Sequence, residues 1–270
     1  MNFAIAAYNL QFGGKDQLDP ITRVLQHVDA DVVTLTEADD HGVVQTLAER
    51  LEMFSVWAEG SGDRHIATLS RYPIESWQIY NTPPLTQAAL ATRLALPHGS
   101  LTIYGIHFLP FLLLPFEIRR WQAVGRLLQI IASSRPGPHL IAGDLNAIAP
   151  GDRVLQRRNP PRMRRVMALQ LFIIFRLAIP RLLRAGYVDC FRQLHPDEDG
   201  FTWMPGNRTT RYDYILAPPH LSPALRACRV VYDAPFVEVA SDHFPLVAQF
   251  DLAPAIWDRA ASQLAGGATE

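Results

Sequence analysis

Cysteine is scarce in this 270-residue chain, which contains only Cys190 and Cys228. Two cysteines cannot form a disulfide framework, and their spacing fits no zinc site, so we expect buried thiols in a reducing compartment. A basic N-terminal region and a small-residue cleavage site are also missing, which argues against a secretion signal. Two apolar stretches, 108–116 and 166–179, are shorter than the roughly 18 residues of a membrane span. We therefore expect a cytoplasmic protein.

Net charge is also nearly absent, at −1 for pH 7, so the whole molecule has no general attraction to nucleic acid or anionic membranes. Hydrophobic residues make up 49% of the chain, which is typical of a globular protein with a large core. The charge is nevertheless unevenly distributed, because residues 153–184 contain nine arginines and no acidic residue. Any contact with a polyanion is expected in that segment.

An apolar strand is predicted within residues 138–146 and leads into polar groups. Gly143 lets the backbone turn there, so that Asp144 and Asn146 project from the same side. A carboxylate and an amide would then share one point in space. Gly-Asp-x-Asn is also a good turn sequence, and taken alone the turn interpretation is the more frequent one.

Other strand-like runs also end or begin at a residue suited to metal or phosphate chemistry. These residues are Asn9, Glu37, His107, Asp213, Asp242 and His243. Each has an ordinary alternative, such as a turn, a solvated carboxylate or a satisfied core histidine. If the strands lie side by side, however, their ends converge on one cleft, where many α/β folds bind ligands. The oxygen-rich set, with two histidines and no cysteine, favours a hard cation such as Mg²⁺.

Helical spacing predicts helices at 20–28, 43–51 and 115–133, and runs between 65 and 107 predict mainly antiparallel sheet. Further strands are predicted after Gly186, beginning with 187–194. The arginine-rich segment is expected to be helical from 162 to 184, with a break or kink at Pro180. It has three interpretations: a core-packing helix with a solvated basic face, a contact for phosphate backbones, and a membrane-facing surface.

In their order along the chain, the motifs resemble the endonuclease/exonuclease/phosphatase superfamily. That superfamily includes deoxyribonuclease-like enzymes, abasic-site endonucleases, neutral sphingomyelinases and inositol polyphosphate phosphatases. The matching segments are Tyr-Asn-Leu at 8–10, Leu-Thr-Glu at 35–37, Leu-Ser-Arg-Tyr-Pro-Ile at 69–74, Gly-Ile-His at 105–107, Gly-Asp-Leu-Asn at 143–146, Arg-Tyr-Asp-Tyr-Ile at 211–215 and Ser-Asp-His at 241–243.

The resemblance implies an α/β fold, a four-layer α/β sandwich in which two mixed β-sheets pack face to face with helices on the outer faces. We expect one domain over residues 1–252, with the arginine-rich segment at about 153–184 as a helical insertion. Residues 253–270 are expected to form a frayed tail. By the same resemblance, Glu37 is the principal Mg²⁺ ligand, assisted by Asn9 and Asp242, with Mn²⁺ as a substitute.

Five residues carry catalytic roles by the same resemblance. Asp144 corresponds to the residue that orients or deprotonates the attacking water, and Asn146 to an amide that holds a phosphate oxygen. His243 is expected on the phosphoryl oxygens, with Asp213 accepting its other ring N–H. His107 matches a second histidine of deoxyribonuclease-like and sphingomyelinase-like members, whereas abasic-site endonucleases usually have a tyrosine there.

These correspondences imply a Mg²⁺-dependent phosphodiesterase that uses in-line attack by an activated water. Nucleic acid is the preferred substrate because of the arginine-rich segment, whose candidate substrate-binding residues are Arg157, Arg158, Arg162, Arg164 and Arg165. One alternative is a sphingomyelinase-like lipid phosphodiesterase or other phosphatase at a membrane surface, with peripheral membrane contact through the apolar loop Phe108–Phe116. Another is a catalytically silent scaffold, which is disfavoured because every polar motif position is occupied. We expect no obligate protein partner.

Overall fold

The structure is a computed structural model that describes residues 1–62, 64–85, 87–135 and 137–257. One sheet contains six strands, namely β1 (Asn2–Asn9), β2 (Val32–Thr36), β3 (Phe54–Ala58), β4 (Ile66–Ser70), β11 (Leu225–Val230) and β12 (Leu246–Asp251). Their order is β11-β12-β1-β2-β4-β3. Strands β1 and β2 are parallel and the other neighbours are antiparallel, so the sheet is mixed.

The second sheet also has six strands, namely β5 (Ile74–Tyr80), β6 (Ala88–Leu96), β7 (Gly99–His107), β8 (His139–Asp144), β9 (Val188–Asp189) and β10 (Asp213–Ala217). Their order is β5-β6-β7-β8-β10-β9, and among the described strands of this sheet only the pair β7 and β8 is parallel. The two sheets pack face to face, with β1 and β2 against β8 and β7.

The helices cover the outer faces. They are α1 (Leu18–Val28), α2 (His41–Leu51), α3 (Leu114–Ser133), α4 (Pro161–Ala168), α5 (Ala178–Arg184), α6 (Cys190–Leu194) and α7 (Val237–Ala240). Helices α1 and α2 bury apolar side chains in the same core as the first sheet, whereas α3 and α5 pack on the outer face of the second. The predicted four-layer sandwich is therefore confirmed.

Strand β8 shows why its sequence is a continuous apolar run. Leu140 and Ala142 belong to the core between the sheets, whereas Ile141 belongs to the core beneath α3. A strand that is buried on both faces must be apolar at successive positions, in contrast to the alternation of a half-exposed strand. Asp144, the last residue of β8, therefore lies at the end of a strand that runs through the middle of the protein.

The prediction of one helix from 162 to 184 is wrong. Helix α4 ends at Ala168, and α5 starts at Ala178 after a non-helical stretch. The interruption contains Leu171 and Phe172, whose φ angles of 54° and 56° lie outside the helical region. Pro180 does not cause the break, because it lies in the first turn of α5, where no backbone N–H is needed.

The strand predicted at 187–194 is also mostly wrong. Strand β9 has two residues, and the chain then enters α6 because the Asp189 side chain accepts hydrogen bonds from the N–H groups of Phe191 and Arg192. Strand β3 was not predicted, since its first two residues, Phe54 and Ser55, are both exposed at the edge of the sheet.

Part of the predicted tail falls within the structure, where Trp257 donates its indole N–H to the carbonyl of Ser100 at 3.1 Å. Residues 258–270 lie outside the described residues. The domain boundary at 252 and the status of 153–184 as an insertion stay predictions. Within the described ranges, none of the helices has both the length and the apolar character that a bilayer-spanning segment needs.

Candidate active site

Strand register brings three of the predicted site residues into one row. In the second sheet His107 of β7 pairs with Asp144 of β8, and Asp144 pairs in turn with Asp213 of β10. Adjacent strands are less than 5 Å apart, so the three side chains are immediate neighbours. All three are buried. Residues separated by more than a hundred positions in the sequence therefore meet through the strand order.

Gly143 makes this row possible in a way that differs from the prediction. It does not form a turn but lies within β8 at φ +139°, where a Cβ atom would stand 2.1 Å from the carbonyl oxygen of Ile106. Only glycine fits such a close approach of β7 and β8. The turn comes later, at Asn146, whose φ is 47° and whose backbone N–H donates to Asp144 Oδ1 at 2.9 Å.

Asn9 connects the two sheets at the same point. Its Nδ2 donates to Asp144 Oδ2 at 3.1 Å. Its backbone carbonyl accepts the Ser241 hydroxyl at 2.6 Å, and the same hydroxyl accepts the backbone N–H of His243 at 3.1 Å. The loop before β12 is thereby fixed against the end of β1, with the His243 ring directed toward Asp144.

His243 and Asp213 form the shortest of the contacts around Asp144. The Nδ1–H of His243 donates to Asp213 Oδ2 at 2.7 Å, while its Nε2 lies 3.9 Å from Asp144 Oδ2. On the other side, His107 Nε2 lies 4.0 Å from the same oxygen. One carboxylate oxygen of Asp144 is thus approached by two imidazoles and one amide.

Burial sets the protonation of these groups. It raises the pKa of Asp144 well above its ordinary value, and the nearby charge of Asp213 raises it further. Burial alone would lower the pKa of His243, but the charge and hydrogen bond of Asp213 outweigh it and raise this pKa to about 10. The pKa of His107 is lowered, chiefly by burial. At neutral pH the pocket therefore holds one cationic and one neutral imidazole.

The residues assigned to metal binding lie next to this pocket. Glu37 directly follows β2, and its Oε2 accepts hydrogen bonds from Phe12 N and Arg64 Nη1, both at 3.0 Å. Arg64 also pairs with Asp39 at 3.1 Å. Asp242 Oδ2 accepts the indole N–H of Trp203 at 3.2 Å. Sequence reasoning missed these partners of Glu37 and Asp242.

The buried cluster has its own capacity for a cation. One ligand atom from each of Asp144, Asp213 and His243 lies within 4.8 Å of the others. Asp213 Oδ1 is buried and has no hydrogen-bond partner among the described residues. A buried carboxylate oxygen without a hydrogen-bond partner destabilises the folded protein. Its presence fits a pocket that receives a cation or a hydrogen-bond donor from a ligand.

The predicted substrate-binding arginines are not part of the cluster. They lie on the turn Gln156–Arg158 and on α4, and all five are exposed: Arg157, Arg158, Arg162, Arg164 and Arg165. Asn146 does lie at the cluster, where its Nδ2 donates to the carbonyl of Phe108 at 3.1 Å. Since a side-chain amide has two N–H groups, one remains for another acceptor.

The chain was compared with known proteins. The model of the Endonuclease/Exonuclease/phosphatase family matches residues 6–243. Among solved structures, a 3'-5' exonuclease from Neisseria meningitidis has a TM-score of 0.70 at 19% identity, covering 93% of this chain and 100% of its own. An AP endonuclease from Archaeoglobus fulgidus also has a TM-score of 0.70 at 19% identity, covering 93% of this chain and 100% of its own. A 3' phosphatase from Neisseria bound to product DNA hairpin has 0.68 at 18%, with 93% and 100% covered.

At such low identity, the solved structures establish only the shared fold. The family match is different because it extends over most of the chain, from β1 to the His243 that completes the buried cluster. It confirms the resemblance first seen in the order of the motifs. The chain belongs to the endonuclease/exonuclease/phosphatase family and is a phosphoester-hydrolysing enzyme.

Proposed function

We propose that the protein is a Mg²⁺-dependent phosphodiesterase that cleaves nucleic acid by in-line attack of an activated water. The observation that carries the proposal is the convergence of the Asn9 amide and the His243–Asp213 pair on Asp144. In-line displacement at phosphorus leaves the protein two main tasks, which are to position the water and to stabilise charge on the phosphoryl oxygens. The pocket contains groups for both.

Asp144 is assigned to the water. Its Oδ1 is fixed by the N–H of Asn146 and its Oδ2 by Asn9, so the carboxylate has one defined orientation. A carboxylate held in this way can accept a hydrogen bond from water and direct its lone pair toward phosphorus. The raised pKa supports a role in accepting the proton near neutral pH.

His243 is assigned to the phosphoryl oxygens. With Nδ1–H donated to Asp213, its Nε2–H is directed to the Asp144 side of the pocket and can donate to an anionic oxygen. The remaining amide N–H of Asn146 can hold a second oxygen. His107, with a lowered pKa, is neutral and can donate or accept, depending on its tautomer.

The family generally depends on a divalent metal. Glu37, Asn9 and Asp242 fit Mg²⁺ because all three offer oxygen donors. Among the described residues, both hydrogen bonds to the Glu37 carboxylate end on Oε2, which leaves Oε1 for a cation. When bound, Mg²⁺ neutralises phosphate charge, and Mn²⁺ can substitute for it.

The cluster of Asp144, Asp213 and His243 is less suited to Mg²⁺. Its third donor is an imidazole nitrogen, whereas Mg²⁺ strongly prefers oxygen. That imidazole is also cationic at neutral pH, as its pKa of about 10 indicates. We therefore assign the ion to Glu37 and its neighbours and keep the cluster for water and phosphate.

Two observations support nucleic acid as the substrate. The solved relatives with this fold include an exonuclease, an AP endonuclease and a phosphatase bound to a DNA hairpin. The exposed arginines at 157–165 supply positive charge for a phosphate backbone. If they contact phosphates, cleavage should fall steeply with salt, because counterion release makes such binding salt-dependent. A cleavage rate that does not change with salt concentration would show that this segment does not bind the substrate.

A lipid phosphodiesterase is the second candidate, and one observation favours it. A groove of about 520 Å³ lies between residues 111–116, where the chain enters α3, and α4, and its walls are mostly apolar. Trp203 lines the groove and donates its indole N–H to Asp242, so the groove adjoins the pocket. Such a groove can receive a hydrocarbon chain. Cytoplasmic location and the absence of an obligate protein partner stay predictions.

A substrate panel with Mg²⁺ or EDTA tests the proposal. It should contain plasmid, single-stranded DNA, abasic duplex, RNA, sphingomyelin vesicles and an inositol phosphate. We expect Mg²⁺-dependent cleavage of at least one nucleic acid. Hydrolysis of sphingomyelin alone would move the assignment to the lipid candidate, and inactivity of folded protein on every substrate would favour the silent scaffold.

A further inference from the structure

Exposed apolar side chains are concentrated in one short part of the chain. The described residues include fourteen exposed large hydrophobic side chains, and five of them lie within residues 169–177, here called the apolar turn. They are Leu169, Leu171, Phe172, Ile173 and Leu177. The two most exposed, Leu169 and Leu171, have 82% and 81% of their surface accessible to solvent. Contiguous apolar surface of this kind marks an interaction site.

The apolar turn is fixed to the body of the protein by its polar groups. Gln170 Nε2 donates to the carbonyl of Leu112 at 2.6 Å, and Gln170 Oε1 accepts the N–H of Leu114 at 3.1 Å. The Leu177 N–H donates to the buried Glu117 at 2.6 Å. Because the polar atoms face inward, the apolar side chains are left facing outward.

The backbone of the turn is also strained at its tip. Leu171 and Phe172 both have left-handed conformations, with φ of 54° and 56°. Non-glycine residues rarely adopt this region, and such conformations cluster at functional sites. Two successive left-handed residues reverse the chain, and both have side chains in solvent.

Arginines flank the apolar turn in the sequence. Residues 153–184 carry nine arginines without an acidic residue. Among the described residues, no salt bridge involves the exposed arginines at 157, 158, 162, 164 and 165. The segment therefore combines aliphatic side chains with cations that lack a carboxylate partner. Its partner should supply both an apolar phase and negative charge.

An anionic lipid bilayer meets both requirements. A nucleic acid would satisfy the arginines but offers no apolar phase for Leu169 and Leu171, the two most exposed side chains, which are aliphatic. At a bilayer, leucines enter the boundary between headgroups and acyl chains, and arginines remain at the level of the lipid phosphates. We infer that the apolar turn and its arginines dock the protein on an anionic lipid bilayer.

This docking would bring the catalytic pocket close to the membrane. Helix α4 directly precedes the apolar turn, and its Met163 and Met167 line the same groove as Trp203. Trp203 in turn contacts Asp242. The inference goes beyond hydrolysis itself. It assigns the exposed arginines to lipid phosphates, which removes their charge as support for a nucleic-acid substrate but leaves the proposed reaction unchanged.

Vesicle co-sedimentation of the full chain in EDTA tests the inference without requiring catalysis. Phosphatidylcholine vesicles with and without phosphatidylserine are the probe. We expect binding that rises with the phosphatidylserine fraction and falls with salt. The double variant Leu169→Ser and Leu171→Ser should bind at least about tenfold more weakly, and the triple variant Arg162→Gln, Arg164→Gln and Arg165→Gln should lose the response to phosphatidylserine.

Matched controls come from the other sheet. Phe54 is 53% exposed on β3, so Phe54→Ser removes a comparable apolar side chain far from α4. Arg226 is an exposed arginine on β11, so Arg226→Gln removes one positive charge elsewhere. Both controls should bind vesicles like the wild type, and thermal melting should show that all variants are folded.

Three outcomes would overturn the inference. The first is wild-type protein that remains in the supernatant with phosphatidylserine vesicles, a result that needs no variant. The second is equal binding by the double leucine variant. The third is a wild type that binds duplex DNA but no vesicles, with an arginine variant that no longer binds the DNA. That result would make the segment a nucleic-acid surface. The first two outcomes leave the proposed reaction untouched, since EDTA prevents turnover, whereas the third would support nucleic acid as its substrate.

Discussion

Asn9 and Asp144 lie 135 residues apart in sequence, yet the Asn9 amide donates to the Asp144 carboxylate at 3.1 Å. This hydrogen bond joins the end of β1 in one sheet to the end of β8 in the other. The proposed catalytic pocket is therefore located at the junction of the two sheets and depends on how they pack.

Asp213→Asn should lower the pKa of His243 from about 10. The sign follows from the opposing effects on this imidazole, because burial favours the neutral ring and the Asp213 charge favours the cation. Without that charge only Asp144 and Asp242 remain to offset burial, so the pKa of His243 should fall. Titration of the His243 ring by NMR measures the change. An unaltered pKa would show that another group holds the proton.

Glu37→Gln should raise the Mg²⁺ concentration that gives half-maximal activity by about 10–100-fold, because an anionic ligand is replaced by a neutral one. The matched control is Glu49→Gln, which changes an exposed carboxylate on α2. Mg²⁺ titration of phosphodiester hydrolysis compares the two variants. Identical Mg²⁺ dependence would place the ion elsewhere, with the buried cluster as the next candidate.

Arg211→Met should destabilise the fold by about 3–5 kcal/mol, since it removes the guanidinium that pairs with buried Asp189 and one of the two that pair with buried Asp152. Arg211 is fully buried and hydrogen-bonds to Asp152 at 2.9 Å and to Asp189 at 2.6 Å. Arg153→Met is the control, because its pair with Asp199 is exposed and should be worth less than about 1 kcal/mol. Urea denaturation measures both. Equal midpoints would mean that the buried ion pairs contribute no net stability.

His139→Asn should weaken the acid sensitivity of folding. His139 hydrogen-bonds to the Tyr187 hydroxyl at 2.7 Å, and burial lowers its pKa to about 4. A folded-state pKa below the unfolded value of about 6.5 gives stability that is present above pH 6.5 and lost as pH falls toward 4. Urea midpoints measured across this range should decline less in the variant. Parallel declines would contradict the assignment.

Sequence patterns predicted much of this architecture because the apolar pattern of a single segment indicates which of its faces are buried. Residues 140–143 before Asp144 are all apolar, as a strand covered on both faces must be, and the helix at 114–133 follows helical spacing closely. The order of the motifs along the chain then indicated the family. The residue pattern of each segment and the family motifs were sufficient to predict these features, so no knowledge of contacts between distant residues was needed.

Contacts across strands could not be predicted in the same way. The row His107, Asp144 and Asp213 depends on the order of β7, β8 and β10, and the pairing of Arg64 with Glu37 depends on where a loop folds back. The apolar turn was predicted as helix because its residues have adequate helical propensity. In the structure, hydrogen bonds of Gln170 to a distant loop replace those of a continuous helix.

Cleavage of DNA by the wild type and by Asp144→Asn, in Mg²⁺ and in EDTA, is the decisive measurement for the proposed function. We expect Mg²⁺-dependent cleavage by the wild type, and a loss in kcat of about 10²–10³ or more in the variant with its melting temperature nearly unchanged. Asp197→Asn, which changes an exposed carboxylate, should cleave normally. Cleavage by Asp144→Asn at the wild-type rate, or wild-type cleavage that persists in EDTA, would contradict the account.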